Sequence, residues 1–232
     1  MKTQKKHLQK LKKPESFCKQ DFHSLCDLLA KKDAHIRQIL QQHGYPPMWQ
    51  RKPNFETLIH IILEQQVSLA SAKAALNRLK ETLGGIITPK KLLALSDPEM
   101  KESYFSRQKI IYARHLATEL ISGRLSIKKI CGLPDDQIRN ELKKIKGIGD
   151  WTVDVFLLMA LQRKDIFPVG DLAMISSLKK TKQLPMDTSK EEILKLSASW
   201  IPHRSIAAMI FWHAYIQEKS IKGRGFKKSK KI

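Results

Sequence analysis

The segment Leu142–Val153 contains the residues whose types and spacing are most suggestive of chemistry. It reads LKKIKGIGDWTV, with two glycines at i and i+2 and three lysines close to them. Glycines at this spacing allow a tight turn between two helices and let another backbone approach closely. The unpaired amides at the start of the next helix suit a phosphate oxygen. The segment therefore predicts contact with a nucleic-acid backbone, without sequence readout.

A carboxylate follows at a fixed distance from this turn. Asp171 lies 20 positions after Trp151, in the segment FPVGDL at 167–172. An aspartate after a glycine at a helix start is usually an N-cap, and a tryptophan at a helix junction usually packs in the core. A carboxylate and an indole face are also the groups that stabilise developing positive charge. The two residues alone leave both interpretations open.

Several motifs in the same order resemble one family of DNA repair enzymes. Besides the turn and Asp171, they are the segments 55–68 (FETLIHIILEQQVS), 105–109 (FSRQK) and 200–207 (WIPHRSIA). The array resembles the helix-hairpin-helix, Gly/Pro-Asp (HhH-GPD) superfamily of DNA glycosylases, in particular its 3-methyladenine DNA glycosylase II family. The resemblance extends over roughly residues 24–217. It implies a monofunctional hydrolase that flips out alkylated purines and cleaves their N-glycosidic bond in base excision repair.

The resemblance assigns roles to individual residues of the site. Asp171 matches the catalytic aspartate, and Trp151 and Trp212 match residues of the pocket for the flipped base. Trp151 stands where bifunctional glycosylase/lyases have a nucleophilic lysine, so no Schiff base is expected there.

The resemblance also implies which residues touch DNA. Gln66 is the expected wedge in the base stack, with Gln65 as second choice. The expected contacts to the DNA backbone are Lys146, Gly147, Gly149 and Thr152. In relatives the backbone carbonyls of the hairpin can hold a monovalent cation, and the matching carbonyls here belong to Lys143, Ile145 and Ile148.

Cofactors and location follow from composition. The three cysteines, the last of which is Cys131, lack the spacing of a zinc site or an iron–sulfur cluster, so no cofactor is expected. The start of the chain is basic but no apolar stretch follows it, and no membrane span is present. We therefore expect a cytoplasmic monomer whose partner is double-stranded DNA containing alkylated bases.

Positive charge supports a polyanionic partner. The formal net charge is +21, and residues 1–19 and 219–232 each contain seven basic side chains. Nucleic acid is the commonest polyanion, although a solvated lysine-rich surface would give the same count.

Three other functions compete with this interpretation. One is a glycosylase for oxidised or deaminated bases on the same scaffold. Another is a non-catalytic helix-hairpin-helix DNA-binding protein, and the third is a basic structural protein of nucleoid or ribosome. Trp151 and Asp171 at the family spacing argue against the DNA-binding protein, because simple binding needs neither residue. A structural protein would explain the charge but not these motifs.

The periodicity of apolar residues predicts an all-α protein. We expect roughly ten helices in two lobes around a cleft, including a helix-hairpin-helix motif. Asn54 and Ser68 are expected helix caps, and Thr188 with Glu191 is expected to form a capping box. The predicted organisation is a basic flexible arm (1–20), the HhH-GPD glycosylase domain (21–218) and a basic C-terminal tail (219–232).

Overall fold

The computed structural model describes residues 15–228 and consists of helices joined by short loops. Within that range the only β pairing is an isolated bridge between Ser16 and Arg163, so the prediction of an all-α fold is confirmed. A 3₁₀ turn at Ala198–Trp200 accompanies thirteen α-helices of the described residues. These are α1 Phe22–Lys32, α2 Ala34–His43, α3 Phe55–Glu64, α4 Leu69–Thr82, α5 Pro89–Ala94, α6 Asp97–Glu102, α7 Arg107–Ile121, α8 Ile127–Ile130, α9 Asp135–Lys143, α10 Asp150–Ala160, α11 Leu172–Thr181, α12 Lys190–Ser197 and α13 Arg204–Lys228.

Short polar side chains set the start of most helices. The side-chain oxygen of Asn54 accepts from the amide of Thr57 at 3.0 Å, and the hydroxyl of Ser68 accepts from the amide of Ser71 at 3.1 Å. Both satisfy an amide that has no partner inside its helix. The two predicted caps are therefore confirmed, and α3 and α4 begin where the sequence indicated.

The helices pack as two groups. Helices α1, α2, α11, α12 and α13 contact one another, whereas α3 to α10 form the second group. Each group buries an apolar interior, with Trp200 and Phe211 in the first and Phe156 in the second. The loop 161–171 joins α10, in the second group, to α11, in the first, so it crosses between the two groups, which are the two lobes of the fold. It carries Asp171 at the junction of the lobes.

Asp33 joins three elements of the first lobe. Its carboxylate caps α2 through the amides of His35 and Ile36. It also accepts hydrogen bonds from the indole N–H of Trp200 at 2.9 Å and from Nζ of Lys182 at 2.7 Å. Although burial raises the pKa of Asp33, the donors from Lys182 and Trp200 outweigh it and hold the pKa below its ordinary value.

Residues 15–20, predicted as part of a flexible arm over 1–20, are instead held against the rest of the fold. Phe17 is buried, its amide donates to the carbonyl of Gln162 at 2.9 Å, and the amide of Lys164 donates to the carbonyl of Glu15 at 3.0 Å. The prediction of a flexible arm is therefore wrong for residues 15–20, because the buried ring of Phe17 and these backbone hydrogen bonds hold the segment in place. Residues 1–14 of the predicted arm lie outside the described residues.

Three further differences from the prediction concern a helix cap, two short helices and the end of the last helix. The capping box is formed by Ser189 and Glu192, one position after the predicted pair, while the hydroxyl of Thr188 donates to the carbonyl of Pro185. Helices α5 and α8 were not predicted. The last helix continues to Lys228, so the first ten residues of the predicted tail are helical, and 229–232 lie outside the described residues.

No helix within residues 15–228 is long and apolar enough to cross a membrane.

Candidate active site

Asp171 is held by three N–H donors at the junction of the lobes. As N-cap of α11 its Oδ1 accepts from the amide of Met174 at 2.8 Å. The same oxygen accepts from the indole Nε1 of Trp212 at 2.9 Å, and Oδ2 accepts from Nε1 of Trp151 at 2.8 Å. All three partners are donors, which match a carboxylate that only accepts. Asp171 is thus both a cap and the centre of a polar cluster, and it is only 9% exposed.

The two indoles come from opposite lobes. Trp151 lies in the first turn of α10 and is partly exposed, whereas Trp212 lies within α13 and is 8% exposed. The structure therefore brings together the three residues predicted for catalysis and for the base pocket, although they span 61 positions of the chain. Their shared hydrogen bonds fix the orientation of both rings relative to the carboxylate.

Trp49 adds a third indole beside this cluster. Its ring packs edge-on against Trp212, with centroids 6.4 Å apart and planes at 85°, a favourable geometry for aromatic pairs. The side-chain amide of Gln162 donates to the carbonyl of Trp49 at 3.3 Å, which helps to fix the loop that carries the ring. Nothing in the sequence around Trp49 indicates this contact, because the two rings come from distant parts of the chain.

The turn between α9 and α10 depends on one of its two glycines. Gly147 has φ +85°, and a Cβ there would lie 2.1 Å from ring carbons of Tyr112. Only glycine fits that conformation against the ring. By contrast, Gly149 has φ −103° and a Cβ there would meet no atom within 4 Å. Gly147 is thus required by the fold, and Gly149 leaves open space at the start of α10.

Helix α7 supports the tip of this hairpin. The amide of Lys146 donates to Nδ1 of His115 at 2.8 Å, so that amide is already paired. The side chain of Lys146 is exposed, and no ion pair among the described residues involves it. The predicted phosphate contact of Lys146 therefore rests on its ammonium group rather than on its amide.

Acidic groups neutralise other cations near the hairpin. Asp150 accepts from Nζ of Lys143 at 3.0 Å and from Arg139 at 3.0 Å, and Arg139 also pairs with Asp154. The hydrogen bond from Lys143 lowers the pKa of Asp150, whereas burial raises the pKa of Asp154 despite its pairing. These pairs fasten α9 to α10 and neutralise part of the positive charge beside the hairpin.

The loop Gln65–Ser68, here called the 65–68 loop, presents one of its two glutamines to solvent. Gln66 is exposed with φ +57°, a conformation that residues other than glycine rarely adopt. Gln65 instead points inward: its Nε2 donates to the carbonyl of Gly147 at 2.9 Å and to Oγ1 of Thr152 at 3.0 Å. Of the two predicted wedge residues, Gln66 is the one free to move into a partner.

Two other predicted contacts are constrained by this arrangement. The side chain of Thr152 is 2% exposed and accepts from Gln65, so only its amide at the start of α10 remains for a phosphate. Of the carbonyls predicted to hold a cation, that of Ile145 already accepts from the amide of Ile148 at 3.0 Å. Among residues 15–228, no cluster of three or more His, Cys, Asp or Glu side chains is placed to hold a metal ion.

Lys109 holds the end of α3, just before the 65–68 loop. Its Nζ donates to the carbonyl of Leu63 at 2.7 Å, near the C-terminus of α3. Burial lowers the pKa of Lys109 from its ordinary value. Lys109, Tyr112 and His115 recur every three positions and therefore share one face of α7. Their spacing marks a common face in the sequence, but their partners lie far along the chain and only the fold identifies them.

The model of the HhH-GPD superfamily of base excision DNA repair proteins matches residues 59–203. The DNA-3-methyladenine glycosylase 1 of Schizosaccharomyces pombe is 31% identical over 166 residues, which cover 70% of this chain and 73% of that protein. The DNA-3-methyladenine glycosylase of Bacillus subtilis is 28% identical over 169 residues, covering 68% of this chain and 56% of that one. With a further Bacillus subtilis relative, the matched segments span 56% to 73% of the relatives' own lengths.

A solved structure shows the same architecture with DNA present. The 3-methyladenine DNA glycosylase Mag1 of Schizosaccharomyces pombe, in complex with abasic DNA, superposes with a TM-score of 0.76 at 28% identity. The superposition covers 82% of this chain and 95% of Mag1.

Proposed function

This chain belongs to the HhH-GPD superfamily of base excision DNA repair proteins, and on that premise we propose that it is a monofunctional DNA glycosylase for alkylated purines. The observation that carries the proposal is the Asp171 carboxylate held between the indole N–H groups of Trp151 and Trp212. A protein that only binds DNA needs neither this carboxylate nor the two rings.

The first step of the proposed reaction is extrusion of the damaged nucleotide. A base inside a duplex is out of reach, so it rotates into a pocket and the gap is filled by the protein. Gln66 is exposed at a loop adjoining the hairpin and supplies the filling side chain. Meanwhile the open start of α10 at Gly149 and the ammonium of Lys146 hold the DNA backbone.

The pocket then selects the base by its charge. A purine alkylated at N3 or N7 is cationic, and the face of an indole attracts a cation by its quadrupole. Trp151 and Trp212 supply these faces, and Trp49 buttresses Trp212 from the side. Because the rings are fixed through Asp171, their positions are set before the base arrives, which lowers the ordering cost of binding.

Bond cleavage depends on Asp171. As the N-glycosidic bond breaks, its electron pair leaves with the base and neutralises the positive charge of the alkylated purine, while the sugar becomes oxocarbenium-like. The carboxylate stabilises that sugar charge and orients a water whose oxygen bonds to C1′. The proton lost by the water goes to solvent through the carboxylate. The products are an abasic site and the free base.

The chain supplies no amine at the position that would give strand cleavage. Trp151 stands where the lyase branch of the superfamily has its lysine, so no Schiff base forms by that route. The proposed hydrolysis requires no organic cofactor or metal. No cysteine follows Cys131, so the chain lacks the four cysteines that an iron–sulfur cluster would need.

The test is release of bases from methylated duplex DNA, followed by chromatography. We expect 3-methyladenine and other cationic purines to be released, with the strand left intact until alkali is added. Parallel duplexes with oxidised or deaminated bases test the alternative substrate class. Release from those duplexes alone, strand cleavage without alkali, or trapping of the enzyme by borohydride would each contradict the proposal.

A further inference from the structure

Gln65 connects the 65–68 loop to the hairpin between α9 and α10. Its Nε2 donates to the Gly147 carbonyl at 2.9 Å and to Thr152 Oγ1 at 3.0 Å. Because a carbonyl oxygen can only accept, the amide nitrogen must face the hairpin, so the orientation of the side chain is determined. Both N–H groups of the amide are thereby used, across 82 and 87 positions of sequence.

The residue next to Gln65 is in a conformation that needs support. At φ +57° Gln66 lies in the left-handed region. This backbone conformation is unfavourable for any residue other than glycine, so it persists only where the surrounding structure holds it. On one side the loop is held by Lys109, whose Nζ binds the Leu63 carbonyl at 2.7 Å. On the other side Ser68 caps α4. Between these anchors, the only side-chain bonds that run from the loop to the hairpin, among the described residues, are those of Gln65.

We propose that Gln65 is a positioning residue that couples the grip of the hairpin on the DNA backbone to insertion of Gln66 into the base stack. The proposal rests on the proposed function, because it takes Gln66 as the wedge. When the hairpin closes on a phosphate, its carbonyl and Thr152 carry the amide of Gln65 with them. Gln66 then enters the stack at a fixed register from that phosphate.

This geometry also separates the roles of the two glutamines. To act as the wedge, Gln65 would have to break both hydrogen bonds and leave the Thr152 hydroxyl, which is buried, without that partner. Gln66 has no such cost because its side chain is exposed. In this proposal Gln65 holds the 65–68 loop against the hairpin, and Gln66 fills the gap in the base stack.

The test uses Gln65→Met, which keeps the length of the side chain but has no N–H donor. The probe is a duplex containing a tetrahydrofuran abasic analogue flanked by 2-aminopurine, whose fluorescence reports filling of the gap. Losing two hydrogen bonds should lower the equilibrium constant for filling roughly tenfold or more. The affinity for undamaged duplex should stay close to wild type, and the melting temperature should fall modestly, because Thr152 Oγ1 and the Gly147 carbonyl lose this partner in the folded protein. Gln41→Met, an exposed change on α2, is the matched control.

Two partner variants make the test specific. Thr152→Val removes one acceptor and should give a smaller loss in the same direction, whereas Thr152→Ser keeps the hydroxyl and should restore filling. Gln65→Met should add nothing to Gln66→Ala if both act on the same step. Unchanged filling in Gln65→Met, or a loss that merely parallels lower stability and weaker binding, would overturn the proposal. Because the probe contains no alkylated base, filling by a wild-type protein that releases no base would refute the proposed function alone.

Discussion

The indole N–H of Trp212 donates to Oδ1 of Asp171 at 2.9 Å, which joins α13 of one lobe to the start of α11. Trp151 makes the equivalent bond to Oδ2 from α10 of the other lobe. The carboxylate is therefore bound on both oxygens by rings that come from two different parts of the fold. Any change to it affects the position of both rings as well as the charge.

Asp171→Asn is expected to fold and to bind DNA at least as tightly as wild type, but to release alkylated bases at least about a hundredfold more slowly. Asparagine has one acceptor oxygen and one NH₂ group. With the oxygen towards Trp212, the NH₂ faces the N–H of Trp151, so donor meets donor and that ring shifts. Single-turnover release from methylated duplex, with thermal melting, measures both effects. Near-normal base release by a folded Asp171→Asn protein would show that Asp171 acts only as a helix cap.

Trp212→Phe removes the indole N–H but keeps an aromatic ring beside Trp49. The lost hydrogen bond should slow base release by about tenfold, and Trp212→Ala should slow it further because base stacking is also lost. Trp200→Phe is the matched control, since its indole also donates to an aspartate at 2.9 Å, but away from this site. The control should lower the melting temperature without slowing release per folded molecule. Equal slowing by both variants would remove any special role of Trp212.

The two glycines of the hairpin are expected to respond differently to substitution. Gly147→Ala should destabilise the fold by about 2 kcal/mol or more, because its Cβ collides with Tyr112 at a φ that suits glycine. Gly149→Val should cost at most about 1 kcal/mol of stability, yet weaken DNA binding by blocking the approach of a phosphate. Chemical denaturation and DNA titration distinguish the two. A Gly149→Val protein that binds DNA normally would make the hairpin a structural turn only.

Asp150→Asn is expected to tighten nonspecific DNA binding. The change releases Lys143 and Arg139 from their ion pairs with this carboxylate. Each new phosphate contact should steepen the slope of log K against log salt by about 0.9. Asp97→Asn removes the same charge from a pair with Arg114 between α6 and α7, and is the control. Equal gains in both variants would point to net charge alone.

Acid should abolish the contribution of Asp33 to stability. Its pKa is lowered in the folded protein, so the contribution is present above the ordinary carboxyl pKa, about 4, and is lost as the pH falls through the folded value. Asp33→Asn should be less stable than wild type by about 2 kcal/mol near pH 7. Thermal melting from pH 7 to pH 3 should show this difference shrinking. A difference independent of pH would exclude an ionic role.

The sequence predicted best those features that depend on neighbouring residues. The caps Asn54 and Ser68 were found because each stands just before an apolar periodic run. At residues 188–192 two overlapping pairs, Thr188 with Glu191 and Ser189 with Glu192, fit the same capping pattern, and local spacing alone did not choose between them. Helices α5 and α8 were missed because four to six residues contain too few periods to read.

In the candidate site, too, some features could be predicted from the sequence and others could not. Asp171, Trp151 and Trp212 were predicted through several motifs in a fixed order, and the fold brings them together. Their hydrogen bonds, the inward turn of Gln65 and the support of Lys146 by His115 were not predictable. Each joins residues more than 20 positions apart or depends on one rotamer, and such contacts leave no periodic pattern in the sequence.

The backbone hydrogen bonds of Glu15 and Phe17 to the loop after α10 make residues 15–17 part of the support of the loop that carries Asp171. Phe17 pairs with Gln162 and Glu15 with Lys164, and the carbonyl of Lys164 accepts from Ser205 at the start of α13. The loop that leads to Asp171 is therefore held from one side by residues 15–17 and from the other by the start of α13. A tag or fusion partner attached at residue 15 or later would transmit its strain to that support, so a shortened version intended for crystallisation or assay should keep Glu15 and every residue after it in the folded domain.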